Sequence, residues 1–277
     1  MKKMLSLALV LVLMMSLAAC GAKTEAPAAT TAPAAAAETT APAAETEAAA
    51  AEVSTIEAGK LIMSTNASFP PYEMIADDGS FEGIDVEVAG AIAKKLGLEL
   101  EVDDMDFDAA LLAVQQNKSD IVMAGVTVTD DRKLVMNFTD SYATGVQVVI
   151  VKEGSDVTLD NLGEKMIGTQ RGTTGYIFTS DDYGDDHVTA YDNGASAVQA
   201  LMNGQVDCVV IDAAPAEAYV EANPGLTILD TEYVVENYAI GVNKDNTTLL
   251  DAINGALTEL TADGTIDAII GKYITAE

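Results

Sequence analysis

The sequence predicts an α/β fold built as two lobes, and three observations carry that expectation. Strand-like and helix-like stretches alternate from Gly59 onward, they fall into two separate series, and the ~220 residues involved suit two lobes of modest size. In the first series "KLIMSTN" reads as a strand. "FEGIDVEVAGAIAKKLG" reads as a helix with Asp85 as its cap, apolar residues at helical spacing and Gly97 as its stop, and "LELEVDDM" as the next strand. "FDAALLAVQQNK" returns to helix and "SDIVMAG" to strand, which completes a βαβαβ unit. The second series runs from strand "KMIGTQ" through a Gly and Thr turn, "RGTTG", to helix "ASAVQALMNG" and strand "VDCVVID". "AAPAEAYVEAN" follows, with Pro215 suited to a first helical turn, and "LLDAINGALTELTADGTIDAIIGKYI" is helical with a break at "ADG".

Charge narrows the function classes. The chain carries 14 basic and 44 acidic side chains, a formal charge of -30, and a pI near 4.1. Phosphate backbones are held by dense Lys and Arg stripes that this composition does not supply, which argues against a nucleic-acid partner. Any anionic group must be captured locally, by a few placed donors. With 49% hydrophobic residues the chain can bury a sizeable core, built from Val, Ile, Leu and Ala because aromatics make up 5% and Trp is absent.

The N-terminus reads as an address. Lys2 and Lys3 precede an apolar run from Leu5 to Ala19, shorter than the ~20 residues that span a bilayer and followed at once by polar sequence, as in a secretory signal. Its end, "LAAC", resembles the lipobox of bacterial lipoproteins, and by that resemblance Cys20 is the lipidated first residue of the mature chain. Residues 21–57 are Ala, Thr, Pro and Glu with almost nothing to bury, so they are expected to remain a solvated tether with a span on the order of 30 Å. Cys208 sits in "VDCVVI" and reads as a buried thiol, which leaves no disulfide to the mature domain.

In order and spacing, "FPPYEM", "FEGIDVEVAGAIAKKLG", "MDFDAALLAVQQNKSDIVMAGVTVTDDRKLVMNFTDSY", "GTQRGTT", "VDCVVID" and "LTADGTIDAIIGKYI" resemble the family 3 extracellular solute-binding proteins of amino-acid ABC transporters. The match covers residues 60–274, and its most specific element is G-x-T-x-T-x-x-R followed by "NFTDSY", where Ala143 replaces one aromatic of the family's usual pair. The resemblance implies a type II periplasmic-binding-protein-like clamshell with a two-strand hinge. Lobe 1 would comprise 58–144 and 238–277, and lobe 2 would comprise 145–237.

An amino-acid zwitterion needs a cation and amide donors for its carboxylate, and a carboxylate with acceptors for its ammonium. Arg132, one of two arginines, supplies the fork; its plainer reading is a surface pair with Asp130 or Asp131. By the family's pattern Gly125 gives a carbonyl to the ammonium and Thr127 contributes its hydroxyl and amide. Thr173 and Thr174 lie between strand and helix, where free N–H groups and the helix dipole favour an anion, although a plain helix cap explains Thr173 equally well. Asp212 ends an apolar strand and by resemblance meets the ammonium; a helix cap before Ala213 is the alternative. Phe69 and Phe107 match apolar walls around the ligand side chain, Asn66 matches a position at its distal end, and Gln170 a variable pocket position. Arg171 reads as solvated.

"SDDYGDDHV" holds four aspartates and His187 without the spacing of a metal loop and reads as a solvated turn, so neither a metal nor a cofactor is expected. The expected function is extracellular capture of an L-amino acid by a monomer and its delivery to a membrane permease with a cytoplasmic ATPase. The location would be the outer face of the cytoplasmic membrane, held by the lipid anchor. The competing class is an enzyme resembling cyclohexadienyl dehydratases, which would need a general acid in the cleft, and no spare pocket Glu, Lys or His is evident. With Asn66 where basic-amino-acid binders carry a carboxylate, the expected side chain is neutral and polar.

Overall fold

The computed structural model describes residues 53–274. The expected signal peptide, Cys20 and most of the expected tether lie outside the described residues. The end of the tether does not: Val53 packs against the first core, the Ile56 N–H donates to Asp120 Oδ1 at 2.8 Å, and Asn246 Nδ2 donates to the Ser54 carbonyl at 3.0 Å. The expected boundary after residue 57 therefore moves N-terminally, because Ile56 and Val53 give this segment apolar surface that the Ala and Pro tract lacks.

The first series is β1 (Lys60–Thr65), β2 (Ser68–Phe69), β3 (Glu73–Ile75), β4 (Phe81–Glu82), α1 (Ile84–Leu96), β5 (Glu99–Asp104), α2 (Phe107–Gln115) and β6 (Ile121–Val122). A short α3 (Asp130–Val135) follows, then the long strand β7 (Met136–Lys152). β1 is buried on both faces, as a central strand flanked by helices must be. Buried Ile84, Val88, Ala89, Ile92 and Ala93 put one face of α1 on the core, and Gly97 ends the helix at φ 71. Asp85 is not its cap. Gly83 holds that place at φ 126, because a side chain there would strike the Tyr72 carbonyl, and Asp85 is displaced into the first turn and buried. "SDIVMAG" contributes only Ile121 and Val122 as strand, because from Met123 the chain leaves the ladder to form the cavity wall.

The second series contains β8 (Ile167–Gln170), α4 (Thr174–Tyr183), β9 (Val188–Tyr191), α5 (Gly194–Met202), β10 (Cys208–Asp212), α6 (Ala213–Ala222) and β11 (Leu226–Ile228). The long β12 (Val234–Asn243) then leads to α7 (Thr247–Ala262) and α8 (Thr265–Tyr273), parted at left-handed Gly264. The reading by pattern passed over α4 and β9, since α4 lacks an apolar stripe: only Thr174, Gly175 and Thr179 are buried on it. Cys208 is a buried free thiol, and burial pushes it up to about 12.

One sheet runs β5-β1-β6-β12-β7-β10-β8-β9, with β11 also on β7. β7 and β12 pair antiparallel along most of their length and pass from one half of the molecule to the other. Tyr142, Ala143 and Tyr238 pack on the core with α1, whereas Val146 and Val148 pack on the core with Val198 and Leu201 of α5. Smaller apolar clusters cover the opposite sheet face in each half, around Phe107 and Val122 in one and around Ile167 and Val210 in the other. Each half is thus a sheet with helices on both faces.

Replacing Gly83 with Ala should destabilise the protein by at least about 1–3 kcal/mol, the cost of a strained positive φ, because the added methyl also meets backbone that cannot step aside. The denaturation midpoint checks it; an unchanged midpoint would mean that the start of α1 can be rebuilt freely.

Candidate functional site

Parallel strands of a doubly wound sheet end in loops on one edge, and a crevice forms where two such edges face each other. Asn66 follows β1, Phe107 follows β5, the segment 123–127 follows β6, Gln170 ends β8 with Arg171 to Thr174 after it, and Asp212 ends β10. All ten residues singled out in the sequence, Asn66, Phe69, Phe107, Gly125, Thr127, Arg132, Gln170, Thr173, Thr174 and Asp212, line one cavity. Glu73, Ala124, Gln147, Val210, Ile211 and Tyr238 line it with them.

Arg132 is 8% exposed, so the plainer surface-pair reading does not hold; Asp130 pairs with Lys133 instead. Thr129 caps α3 by accepting the Arg132 N–H at 3.2 Å, which aims the side chain inward. The guanidinium lies over the Phe107 ring, 5.4 Å from its centroid, and donates to the Thr127 carbonyl at 2.8 Å and the Gly172 carbonyl at 3.1 Å. Two of five donors thus meet carbonyls, and no carboxylate is among the partners. Burial pushes its pKa down to about 10, which leaves it charged at neutral pH, and Glu236 nearby opposes the shift.

Thr173 does cap α4, accepting the Tyr176 N–H at 3.3 Å while donating to the Gln170 carbonyl at 2.8 Å. Its cap and its place in the cavity coexist. Thr174, at the N-terminus of that helix, meets Thr127 across the cleft with hydroxyls 3.4 Å apart. Asp212 likewise caps α6 through the Ala214 N–H at 3.1 Å, and its other oxygen accepts the Val146 N–H and the Tyr238 hydroxyl, each at 2.9 Å. A carboxylate offers about four acceptor sites, so one remains after these three bonds. Burial raises its pKa to about 6 against these bonds.

Phe69 stacks on Tyr72 at 5.7 Å, and Tyr72 meets Tyr238 edge-on at 5.4 Å. Gly125, at φ 54, lies so close to Phe69 that a Cβ would stand 2.8 Å from the ring. Asn66 donates to the Met105 carbonyl and accepts from Gln170 Nε2, both at 2.9 Å. Gln147 donates to Glu236, also at 2.9 Å. Arg171 is outside the cavity, exposed and beside Asp192 at 3.4 Å. His187 lies in a short turn with Nδ1 3.3 Å from the Lys165 carbonyl, and among the described residues no group of three or more His, Cys, Asp or Glu is placed to hold a metal.

One expectation fails outright: the cavity does contain a spare acid. Glu73 is fully buried, neither of its oxygens meets an amide or hydroxyl donor, and burial, with the neighbouring Asp85 carboxyl, holds its pKa well above the usual carboxylate range. It escaped the reading because β3 is three residues long, too short to show which side of it faces inward. Gln147, Tyr238 and Ile211 escaped for the opposite reason, since long apolar strands give no sign of where they pass a cavity.

Among the described residues no helix is long and apolar enough to cross a membrane. The chain is 34% identical over 222 residues to a probable histidine-binding protein of Neisseria gonorrhoeae, covering 78% of this chain and 83% of that one. It is 30% identical to the ABC transporter arginine-binding protein 1 of Escherichia coli K12, covering 78% and 91%. Two solved structures of an ancestral arginine-binding protein resemble it: one bound to glutamine, with TM-score 0.75, 40% identity and coverage of 79% and 99%, and one bound to arginine, with 0.74, 41%, 78% and 98%. The model of the bacterial extracellular solute-binding proteins, family 3, matches residues 61–276, and the chain belongs to that family.

Proposed function

We propose that this protein captures an L-amino acid outside the cell between two closing lobes and delivers it, as a monomer anchored through Cys20, to an ABC permease and its ATPase. The observation that carries the reading is a buried guanidinium with free donors and no carboxylate partner, in one cavity with a buried carboxylate, Asp212, that retains an open acceptor site. That pair is complementary to a zwitterion. Arg132, Thr127, Thr173 and Thr174 would hold the carboxylate; Asp212 and the Gly125 carbonyl would hold the ammonium; Phe69 and Phe107 would enclose the side chain. Lobes 58–144 with 238–277, and 145–237, would close about β7 and β12, where the change of core between Ala143 and Val146 supports a hinge.

The neutral polar side chain expected from Asn66 and Gln170 assumed a cavity without a distal carboxylate. Glu73 adds a carboxyl to that cavity, and once ionised by a cationic side chain its two oxygens would accept from a group rich in donors. A guanidinium satisfies both oxygens and a glutamine amide satisfies one, so we rank arginine first and glutamine second. The relatives named for arginine and histidine support this order. Glu73 is also what a dehydratase would use as general acid; turnover of an aromatic amino-acid precursor by the purified protein would favour that second reading.

Arg132→Ala should weaken amino-acid binding by roughly 2–5 kcal/mol, because the ligand carboxylate is buried without its fork, and Arg132→Lys should recover only part of the loss. Calorimetry checks it; unchanged affinity of the Ala variant would remove the central assignment. In competition binding arginine should displace glutamine, and Glu73→Gln should reverse or level that order, whereas a preference unmoved by the substitution would clear Glu73 of any part in specificity.

Acidity should matter too. Asp212 has a folded pKa near 6 against an ordinary 3.8, so its protonated form favours the ligand-free fold; that contribution is full below 3.8 and lost as pH rises through 6. Binding an ammonium needs the ionised form, and affinity should therefore fall about tenfold between pH 7 and pH 5, with proton uptake on release of the ligand. A flat affinity over that range would place the ammonium elsewhere.

A further inference from the structure

Asp85 is a buried acid that the cavity lining does not include. It is 0% exposed, it does not cap α1, and Glu87 in the same first turn already supplies a negative charge to the helix N-terminus near the surface. A buried carboxylate is costly, so its bonds should show what it is there for. Beside the Glu73 carboxyl, Oδ2 accepts the Gly125 N–H at 2.9 Å and Oδ1 accepts the Tyr142 hydroxyl at 2.7 Å.

These two partners belong to different parts of the proposed machinery. Gly125 is in the cavity wall, at a positive φ and against Phe69, and glycine alone has little to hold it in one conformation. Because the Ala124–Gly125 peptide is planar and trans, holding the Gly125 N–H on Asp85 fixes the Ala124 carbonyl in the opposite direction and leaves only ψ of Gly125 to aim the next carbonyl. Tyr142 stands on β7 just before Gly145, which has no room for a side chain beside Asp212 and Tyr238. One carboxylate therefore bridges the cavity wall and the strand that passes to the other half.

We infer that Asp85 is a positioning residue for ligand capture, holding the Gly125 segment and the Tyr142 end of the hinge strand in one arrangement so that wall and hinge move together. This rests on the amino-acid reading above. A role confined to stability would lower the melting temperature and leave the affinity of the folded protein unchanged. The inferred role predicts that affinity moves and that the two bonds behave as one unit.

The test titrates L-arginine and L-glutamine into wild type, Asp85→Asn, Tyr142→Phe and the double variant, each at a temperature where it is folded, and follows hydrogen exchange of the Gly125 amide without ligand. Each single variant should lose about tenfold in affinity, as for a bond to a charged group. The double variant should lose no more than Asp85→Asn alone, and Gly125 should exchange faster in all three. Affinities of both single variants within about twofold of wild type, or losses that add in the double variant, would overturn the inference. Should Asp85→Asn fail to fold, Tyr142→Phe decides by itself, and unchanged affinity with unchanged Gly125 exchange refutes the bridge. Should wild type bind neither amino acid, the ranking of arginine and glutamine fails separately, and Gly125 exchange that ignores both substitutions would still remove Asp85 from its role.

Discussion

Four carboxylates, of Glu73, Asp85, Asp212 and Glu236, are buried in or behind a cavity that contains one guanidinium. Each was taken out of water at a cost that hydrogen bonds only partly offset, and burial raises Asp85 and Asp212 alike to about 6. The cleft is therefore short of positive charge and of donors at neutral pH. In the proposed reading a zwitterion would bring its ammonium to the acids and its carboxylate to Arg132, and a cationic side chain would supply what Glu73 lacks. A chain of net charge -30 can nonetheless hold an anionic group where a cation is placed locally. Long-range repulsion is screened over about 8–10 Å of saline, while a buried fork acts at contact distance.

The fold makes this concentration of charge possible by where it lets strands end. β1, β6, β8 and β10 direct their carboxyl ends to one crevice, and β7 with β12 carries the sheet across beneath it. Helix N-termini arrive with the loops: Thr173 and Asp212 each cap a helix and face the cavity at once. Cap and site are not competing explanations for these residues, since a cap fixes the rotamer that a binding residue needs fixed.

Most of this arrangement was legible in the sequence where local pattern and position agree. Strand and turn could be read at "GTQRGTT" and strand and helix at "VDCVVID", and the order of those motifs pointed to residues that line one cavity. Legibility failed where the decisive fact is a contact across the chain. Asp85 looked like a cap because a cap is a local feature, yet its role is set by Gly125 and Tyr142, tens of residues away. Nothing local in "FPPYEM" singles out Glu73, and only the packing of β3 against α1 and the cavity shows it buried. α4 was overlooked because its inward face is Thr and Gly, chosen for close approach to Gln147 and Val210 and not for apolar burial.

The contacts across the cleft bear on how closure would be governed. Gln170 meets Asn66, Arg132 meets Gly172, Tyr219 meets Ser68 at 2.8 Å, and the two threonines meet one another. These bonds are neutral or singly charged, each worth about 1–3 kcal/mol at most against water. Closing on them alone would desolvate Asp212 without a counter-charge, a penalty of comparable or greater size. With an amino acid between the lobes, as proposed, the buried acids would be paired on closure, and the penalty would become an attraction. The ligand's leverage on the lobes is then the difference between those two states of the buried acids, so affinity and closure answer to the same few side chains.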